Sequence, residues 1–315
     1  MGHTEIRIKG KTVSVPSVCI DGKTVVTSGK WIKIAAIKDE ELVEGDLIAD
    51  PVSFVRQLKG SALNADLFTF AQKLPETSPK FNYYLEWDNL AVIPITTFSD
   101  WWEKRVEASV RRAVRKAGKS GVVVNVAELD DTFVQSIVNI NNETPIRQGR
   151  RFWHFQKSCE AVKSENSTYA DRNVFLGAYC QGELIGFIRM TYADKVANIV
   201  QLLSMMKHYD KRPANALIAK AVEICEQVGM SCVVYYNYTY NDPNSSLTEF
   251  KRRNGFEKVL VPRYYIPLTR KGDVALRLGV HRGLAPLVPT PLLSRVLKIR
   301  SLWYGRRLKA IEGTL

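Results

Sequence analysis

Apolar and polar residues alternate over much of the first forty positions, which is the pattern of half-buried strands separated by Gly10, Gly22 and Gly29. Further along, the period lengthens to that of amphipathic helices. The predicted helices are 51–59, 100–116, 131–142, 214–229 and 244–254. The predicted later strands are 65–70, 90–95, 122–126, 174–179, 184–192, 197–205, 231–236 and 258–267.

The order of elements from residue 174 onward is β-β-β-α-β-α-β. Three strands joined by short turns are expected to be antiparallel, and the helices that follow are expected to cover the sheet. The fold class is therefore expected to be α/β, with the mixed parallel and antiparallel sheet of α+β proteins and helices on its faces.

Composition is that of a globular chain, with 45% hydrophobic and 24% charged residues. No apolar run reaches the roughly 20 residues of a membrane-spanning helix, and the first residues lack the apolar core of a signal peptide. The five cysteines are odd in number and show no C-x-x-C spacing, which favours reduced thiols. We therefore expect a cytoplasmic protein, and four scattered histidines predict no metal site.

The net charge of +13 is concentrated in two segments. Residues 101–120 carry seven Lys or Arg against two acids, a net of +5, and residues 270–315 carry ten against two, a net of +8. This predicts an anionic partner: a CoA pyrophosphate, a tRNA, a lipid-linked phosphate or a membrane surface, unless both are simply solvated faces. DNA is not expected, because no recognition helix carries the charge.

One motif follows the predicted fourth strand of this order. The run Asn244-x-x-Leu247-x-x-Phe250-Lys251-x-x-x-Gly255-Phe256 looks like N-x-x-A-x-x-L-Y-x-x-x-G-F, with Asn244, Gly255 and Phe256 in register, and the chain thus resembles the GNAT acyltransferases. The resemblance implies the GNAT acyl-CoA N-acyltransferase fold and acyl-CoA (acetyl-CoA) as the donor substrate, without a metal. It places the donor-binding residues at Ser204, Lys211, Arg212, Ala214, Asn215 and Asn244.

The loop before the 214–229 helix departs from the GNAT pattern R/Q-x-x-G-x-G/A. Arg212 replaces the first glycine, and of the motif only Ala214 and the helix itself fit. A helix N-terminus beside Lys211 and Arg212 would still attract an anion.

Three further runs, within 102–121, 142–149 and 249–255, are similar to FemAB-like proteins, the twin-GNAT aminoacyltransferases of peptidoglycan bridges. That resemblance implies an aminoacyl donor on tRNA and a reduced first GNAT-like half. The expected domains are 1–97 (β-rich segment and reduced half), 98–268 (GNAT-like acyltransferase domain) and 269–315 (basic amphipathic tail).

Acyl transfer needs an oxyanion donor and a path for the amine's proton. The register places Lys251 where many GNAT enzymes have a tyrosine that protonates the leaving group, and Tyr238 is an alternative acid. Backbone N–H groups at 203–205 are expected to face the carbonyl. Glu143 is the candidate base, and Arg147, Gln148 and Trp153 are candidate acceptor-binding residues; core packing is the alternative for Trp153.

The tail from residue 270 interleaves leucines, Trp303 and Tyr304 with arginines. Such a segment either lies on an anionic membrane, at its inner face, or docks on the enzyme itself.

Three functions stay open. The first is transfer of an acyl group from acyl-CoA to an amine, such as an amino sugar or glycan precursor of the cell envelope. The second is a FemAB-type transfer from aminoacyl-tRNA, and the third is a non-catalytic GNAT-fold binding module.

Overall fold

The computed structural model describes residues 2–8, 11–147, 150–240 and 245–282. Its strands are β1 (Gly2–Ile8), β2 (Lys11–Ile20), β3 (Lys23–Ser28), β4 (Ile34–Ile37), β5 (Leu67–Ala71), β6 (Tyr84–Pro94), β7 (Val122–Ala127), β8 (Ile146–Arg147), β9 (Arg150–Arg151), β10 (Asn173–Cys180), β11 (Glu183–Ala193), β12 (Val196–Ser204), β13 (Cys232–Asn237) and β14 (Glu257–Pro267). Its α-helices are α1 (Pro51–Gly60), α2 (Phe98–Asp100), α3 (Ala108–Lys119), α4 (Asp131–Asn142), α5 (Cys159–Asn166), α6 (Pro213–Gln227), α7 (Ser246–Arg253) and α8 (Arg270–Arg277).

Twelve strands form one continuous sheet, in the order β1-β2-β3-β4-β5-β14-β6-β13-β12-β11-β10-β7. The pairing is mixed: β12 lies parallel to β13 and β4 parallel to β5, while the other neighbours are antiparallel. The predicted mixed α/β class is therefore confirmed.

The sheet contains the same arrangement twice. An antiparallel β2-β3-β4 meander is followed by α1 and a strand parallel to β4, and β10-β11-β12 is followed by α6 and a strand parallel to β12. The strand that follows each unit pairs with the other: β6 lies beside β13, and β14 lies beside β5. The first unit is the smaller, since α1 has 10 residues and α6 has 15.

Neighbouring residues of a strand point to opposite faces of the sheet, so each strand of the second unit has two faces to bury. Helices cover both of these faces. On one face, Ile188 of β11 packs in a cluster with Leu217 of α6, and on the other Phe187 packs with Ile137 of α4. All four side chains are fully buried. The core of the first unit is aromatic, with Phe54 of α1 stacked on Phe68 of β5 at 5.2 Å between ring centroids.

The helix predicted over 100–116 is wrong as a continuous element. The chain forms α2, then a π-helical turn at Trp101–Arg105, becomes extended at Val106, and resumes as α3. The buried Trp101 causes the break, because its indole N–H donates to Asn254 O at 3.1 Å and ties this turn to the end of α7. Thr97 caps α2, since its Oγ1 accepts the Asp100 N–H at 3.0 Å.

Other predicted elements appear with shifted ends. Helix α7 begins at Ser246 and is capped by Ser245, and β6 begins at Tyr84 rather than at residue 90. Helix α5 and the small β8–β9 hairpin were not predicted. One continuous sheet includes strands from residue 2 to residue 267. The domain boundaries expected at 97 and 268 remain a prediction.

Most of the predicted amphipathic tail, residues 283–315, lies outside the described part of the chain. Within the described ranges, no helix is both long enough and apolar enough to cross a bilayer.

Candidate functional site

The two parallel strands of the second unit separate after three residue pairs. Val196, Ala197 and Asn198 pair with residues 232–234, and beyond them β12 continues to Ser204 without a β13 partner. Two irregularities accompany the opening: the β11–β12 register shifts so that Val200 is unpaired, and Tyr236 has φ of 36°. A bulge bends its strand, and a left-handed tyrosine strains its backbone. The strands β12 and β13 therefore diverge at this point.

Lys251 of α7 reaches this opening from the face that α6 covers. Its side chain is fully buried, and Nζ donates to Asn237 O at 2.7 Å. The ammonium also lies 4.4 Å from the ring centroid of Tyr235 and 5.0 Å from that of Tyr240. Burial lowers the pKa of Lys251 to about 8, and no acid pairs with it among the described residues. A cation held this way favours a developing negative charge beside it.

A groove of about 510 Å³ lies on the outer side of α7, between α3, α6 and α7. We call it the basic groove, because it is lined by Arg112 and Lys116 of α3, Arg212 before α6, and Arg253 of α7. Ser246, Glu249 and Phe250 of α7 face it as well, so one helix presents these residues to the groove and Lys251 to the opening between strands. The basic residues predicted within 101–120 and the donor-binding residues predicted at Arg212 and Asn215 thus line the same groove.

The N-terminus of α6 opens toward the basic groove. Arg212 precedes it in the left-handed conformation (φ 59°, ψ 41°), Pro213 follows, and no side chain caps the helix. Asn215 Nδ2 donates to Asn254 Oδ1 at 3.1 Å, which fixes α6 to the end of α7. Ala214 lies half-buried in the first turn, and Lys211 Nζ contacts His208 Nδ1 at 2.9 Å.

Glu143 and Arg147 form hydrogen bonds to the backbone at the end of β12. The Glu143 carboxylate accepts the N–H groups of Met206 and Lys207 at 2.6 and 2.8 Å. Arg147 donates to Ser204 O at 2.9 Å and to Glu143 at 3.3 Å. This geometry gives both residues positioning roles, and the assignment of Glu143 as general base stays a prediction.

The predicted oxyanion donors at 203–205 are partly occupied. The Met205 N–H donates to Ile185 O at 2.8 Å, which is incompatible with simultaneous donation to a substrate. Ser204 itself is buried and pairs with Gly186 of β11. Sequence reasoning could not detect this, because the strand continues its β11 ladder beyond the point where it leaves β13.

The remaining predicted site residues are placed as follows. Trp153 is 42% exposed, with its ring 3.5 Å from that of His154 and the Lys157 ammonium 4.2 Å from its centroid. Tyr238 follows β13, donates its N–H to Asn89 O at 3.0 Å and packs against the core. Gln148 and Asn244 lie outside the described residues.

A cavity of about 290 Å³ lies at the opening, between the two units, and sequence reasoning missed it. We call it the inter-unit cavity. Asn198, Tyr236 and Asn237 line it from the second unit. Glu40, Glu41, Ala71, Gln72, Lys73, Asp88 and Arg263 line it from the first unit and the two central strands. The sequence offered no motif for these residues, since Glu40-Glu41 reads as an ordinary solvated acidic pair.

Two other expectations concern metals and thiols. Within the described ranges, no group of three or more His, Cys, Asp or Glu side chains could hold a metal ion. Cys180, Cys225 and Cys232 are buried free thiols, whereas Cys19 is exposed. Burial raises the pKa of Cys225 to about 12 and that of Cys232 to about 11, which leaves both thiols protonated and poor nucleophiles.

No protein-family profile and no curated protein matches this chain. Solved structures do. FemX matches 87% of this chain and 90% of its own with a TM-score of 0.57 at 10% identity. A C-terminal domain assigned to a lysylphosphatidylglycerol synthetase from Agrobacterium fabrum matches 86% and 89%, with TM-score 0.54 and 16% identity. L-PGS from Bacillus licheniformis matches 83% and 86%, with TM-score 0.53 and 13% identity.

At these identities the likeness concerns the fold. The chain has the GNAT-like, FemX-like fold, with a mixed sheet opened between two parallel strands and a helix N-terminus beside the opening. The expected fold is thereby confirmed.

Proposed function

We propose that this chain is an aminoacyltransferase that moves an aminoacyl group from the 3′ end of a charged tRNA to a primary amine. The acceptor class that we propose is an amino sugar or glycan precursor. The observation that carries the proposal is the buried Lys251 ammonium, held at the strand opening behind a groove lined with cations.

The basic groove suits a nucleic-acid backbone. Its cations are side chains spaced along α3, α6 and α7, and Arg112 and Lys116 are exposed with no ion-pair partner among the described residues. Flexible cations of this kind follow a line of phosphates. A pyrophosphate cradle instead uses free backbone N–H groups at one helix end, and it would leave the exposed cations of α3 unused.

Lys251 has a defined task in this proposal. Attack of an amine on an aminoacyl ester expels a ribose oxygen, which leaves as an anion unless a proton or a cation meets it. A lysine with a pKa of about 8 remains largely protonated at neutral pH, yet it loses its proton more easily than an exposed lysine. It can therefore stabilise the departing oxygen and protonate it.

Acyl-CoA as donor is the second candidate, and one observation favours it. The N-terminus of α6 has no capping side chain, so its first N–H groups remain available to an anion beside Arg212. A single pyrophosphate would fit this end of the basic groove without using α3.

The test is a pair of titrations at near-physiological salt: filter binding of an unfractionated charged tRNA pool, and calorimetry with acetyl-CoA. We expect micromolar binding of charged tRNA that Arg212→Glu weakens about tenfold, while Arg56→Glu, an exposed arginine on α1, has little effect.

Acetyl-CoA binding that depends on Arg212, together with tRNA binding that vanishes as salt rises, would replace the tRNA donor by acyl-CoA. Binding of neither molecule would contradict both candidates and favour the non-catalytic reading.

A further inference from the structure

The charged side chains of the inter-unit cavity are paired, with one exception. Arg263 donates to Asp88 Oδ2 at 2.7 Å and also bonds Glu40. Lys73 donates to Asp194 at 2.5 Å and to the carbonyls of Val43 and Gly45 at 2.6 and 3.0 Å. Both cationic side chains that line the cavity, Lys73 and Arg263, therefore already have acidic partners.

Glu41 is the exception. It lines the cavity together with Tyr236, and no cation pairs with its carboxylate in the part of the chain that the structure describes. Burial raises the pKa of Glu41, while the nearby Tyr236 hydroxyl opposes that rise. The cavity thus contains one carboxylate without a balancing positive charge.

The position of Glu41 relative to the strand opening follows from β13. Tyr236, which lines the cavity with Glu41, is the left-handed residue, and the next residue, Asn237, lines the same cavity. The Asn237 carbonyl accepts the Lys251 ammonium at 2.7 Å. Two successive residues of β13 therefore lie beside both the cavity that contains Glu41 and the Lys251 ammonium.

We infer that the acceptor amine enters the inter-unit cavity as its ammonium ion and that Glu41 is the general base that removes its proton. An unpaired carboxylate attracts a cation into a partly buried cavity, and a base there converts the ammonium into the nucleophilic free amine. This assigns the acceptor to the inter-unit cavity and the donor to the basic groove, with the opened strands between them. The inference rests on the proposed function.

The proton balance closes with the residues present. Glu41 takes one proton from the acceptor ammonium, the amine nitrogen bonds to the ester carbonyl carbon, and the carbonyl electrons move to oxygen. When the carbon–oxygen bond to the ribose breaks, the departing oxygen takes a proton from Lys251. The nitrogen's surplus proton restores Lys251, and Glu41 releases its proton to solvent. An amide, a free hydroxyl and one proton result.

The charged and titratable groups around Glu41 come from several elements: Asp39 and Glu40 beside it, Lys73 after β5, Asp88 on β6, Tyr169 before β10, Tyr236 on β13 and Arg263 on β14. Since Arg263 and Lys73 are held by other acids, the neighbours that act most directly on Glu41 are Tyr236, which lowers its pKa, and Glu40 and Asp39, which raise it.

The experiment compares two nucleophiles with a charged tRNA pool as donor: ethanolamine, which is an ammonium at neutral pH, and hydroxylamine, which is mostly uncharged. We expect Glu41→Gln to slow transfer to ethanolamine about 100-fold and to leave transfer to hydroxylamine within about twofold of wild type, since only the ammonium needs a base. Glu44→Gln, a carboxylate with 61% side-chain exposure three positions away, is the matched control.

Equal loss of both nucleophiles, or of neither, in Glu41→Gln would overturn the assignment of Glu41 while leaving the transferase itself standing. Failure of the wild type to transfer to either nucleophile would instead remove the proposed function, and this inference with it.

Tyr236→Phe provides a second readout. Loss of the hydroxyl group that lowers the pKa of Glu41 should move the acidic limb of the ethanolamine rate profile to higher pH, because Glu41 acts only when deprotonated. An unmoved limb would contradict a titrating Glu41.

Discussion

The two units of the sheet have the same topology but differ where a parallel strand pair meets its helix. In the first unit, β4 ends at Ile37, one residue beyond its last pair with β5, and Asp50 caps α1 by accepting the N–H groups of Val52 and Ser53. In the second, β12 runs on past β13 and α6 has no capping side chain. A carboxylate closes one helix end, and an arginine stands beside the other.

This difference in helix capping determines which of the two helix N-termini can bind an anion. The Asp50 carboxylate satisfies two of the free N–H groups of α1 and repels a phosphate there, whereas the positive end of α6 adjoins Arg212. The first unit contributes acidic side chains after β4 instead, and these form the wall of the inter-unit cavity. Duplication thus yields one anion-binding end and one acidic cavity wall.

The largest expected effect follows from removing the ammonium at the strand opening. Lys251→Met should slow transfer about 100-fold or more, because a preorganised cation at the leaving oxygen is lost. The melting temperature should stay the same or rise, since a buried lysine without an acidic partner is replaced by an apolar side chain of similar length. Transfer at the wild-type rate in this variant would show that Lys251 is not at the reaction centre.

In the wild type, deprotonation of Lys251 should lower the transfer rate but raise the stability of the fold. Transfer should fall as pH rises through about 8, where folded Lys251 loses its proton. The stability contributed by this group should rise between about 8 and its ordinary pKa of 10.5, because there the unfolded chain binds the extra proton. Rate profiles and urea unfolding across that range measure the two, and Lys251→Met should lack both features.

Cations of the basic groove should produce a smaller effect, and one that depends on salt. Arg112→Ala and Lys116→Ala should each lower the salt slope of tRNA binding by about 1, the loss of one phosphate contact. Arg115→Ala on the same helix does not line the groove and is the matched control. Equal effects of all three substitutions would indicate a diffuse positive surface without a defined groove.

The smallest effect concerns the strained residue before α6. Arg212→Gly should raise the free energy of unfolding by about 1 kcal/mol, since glycine adopts the left-handed conformation without steric cost. The same substitution should weaken tRNA binding, so stability and binding change in opposite directions. Urea unfolding and filter binding measure them, and unchanged binding would place the anion elsewhere.

The sequence predicted what depends on local pattern. Hydrophobic period located α1, α4, α6 and the strands β10 to β14, and the resemblance in residues 244–256 pointed to the fold. The same register identified Lys251, which the structure places at the strand opening. Arg212 and Asn215 were predicted from the resemblance to the GNAT loop that precedes this helix, and the structure places both at the basic groove.

The sequence could not predict what depends on distant contacts. The break at Trp101 results from a hydrogen bond to Asn254, and Glu143 appeared free for catalysis until the fold placed it against the Met206 and Lys207 N–H groups. Glu41 and Tyr236 are 195 positions apart in the chain and meet only because β6 and β14 join the two units.

The most direct test of the central claim is cross-linking from the 3′ end of tRNA. Periodate-oxidised tRNA carries a terminal dialdehyde that forms an imine with a nearby uncharged amine and is fixed by borohydride reduction. We expect peptide mapping to find the label on Lys251 in the wild type and to find it gone in Lys251→Met. Labelling of other lysines alone, unchanged in Lys251→Met, would contradict a donor end that reaches the opening between β12 and β13.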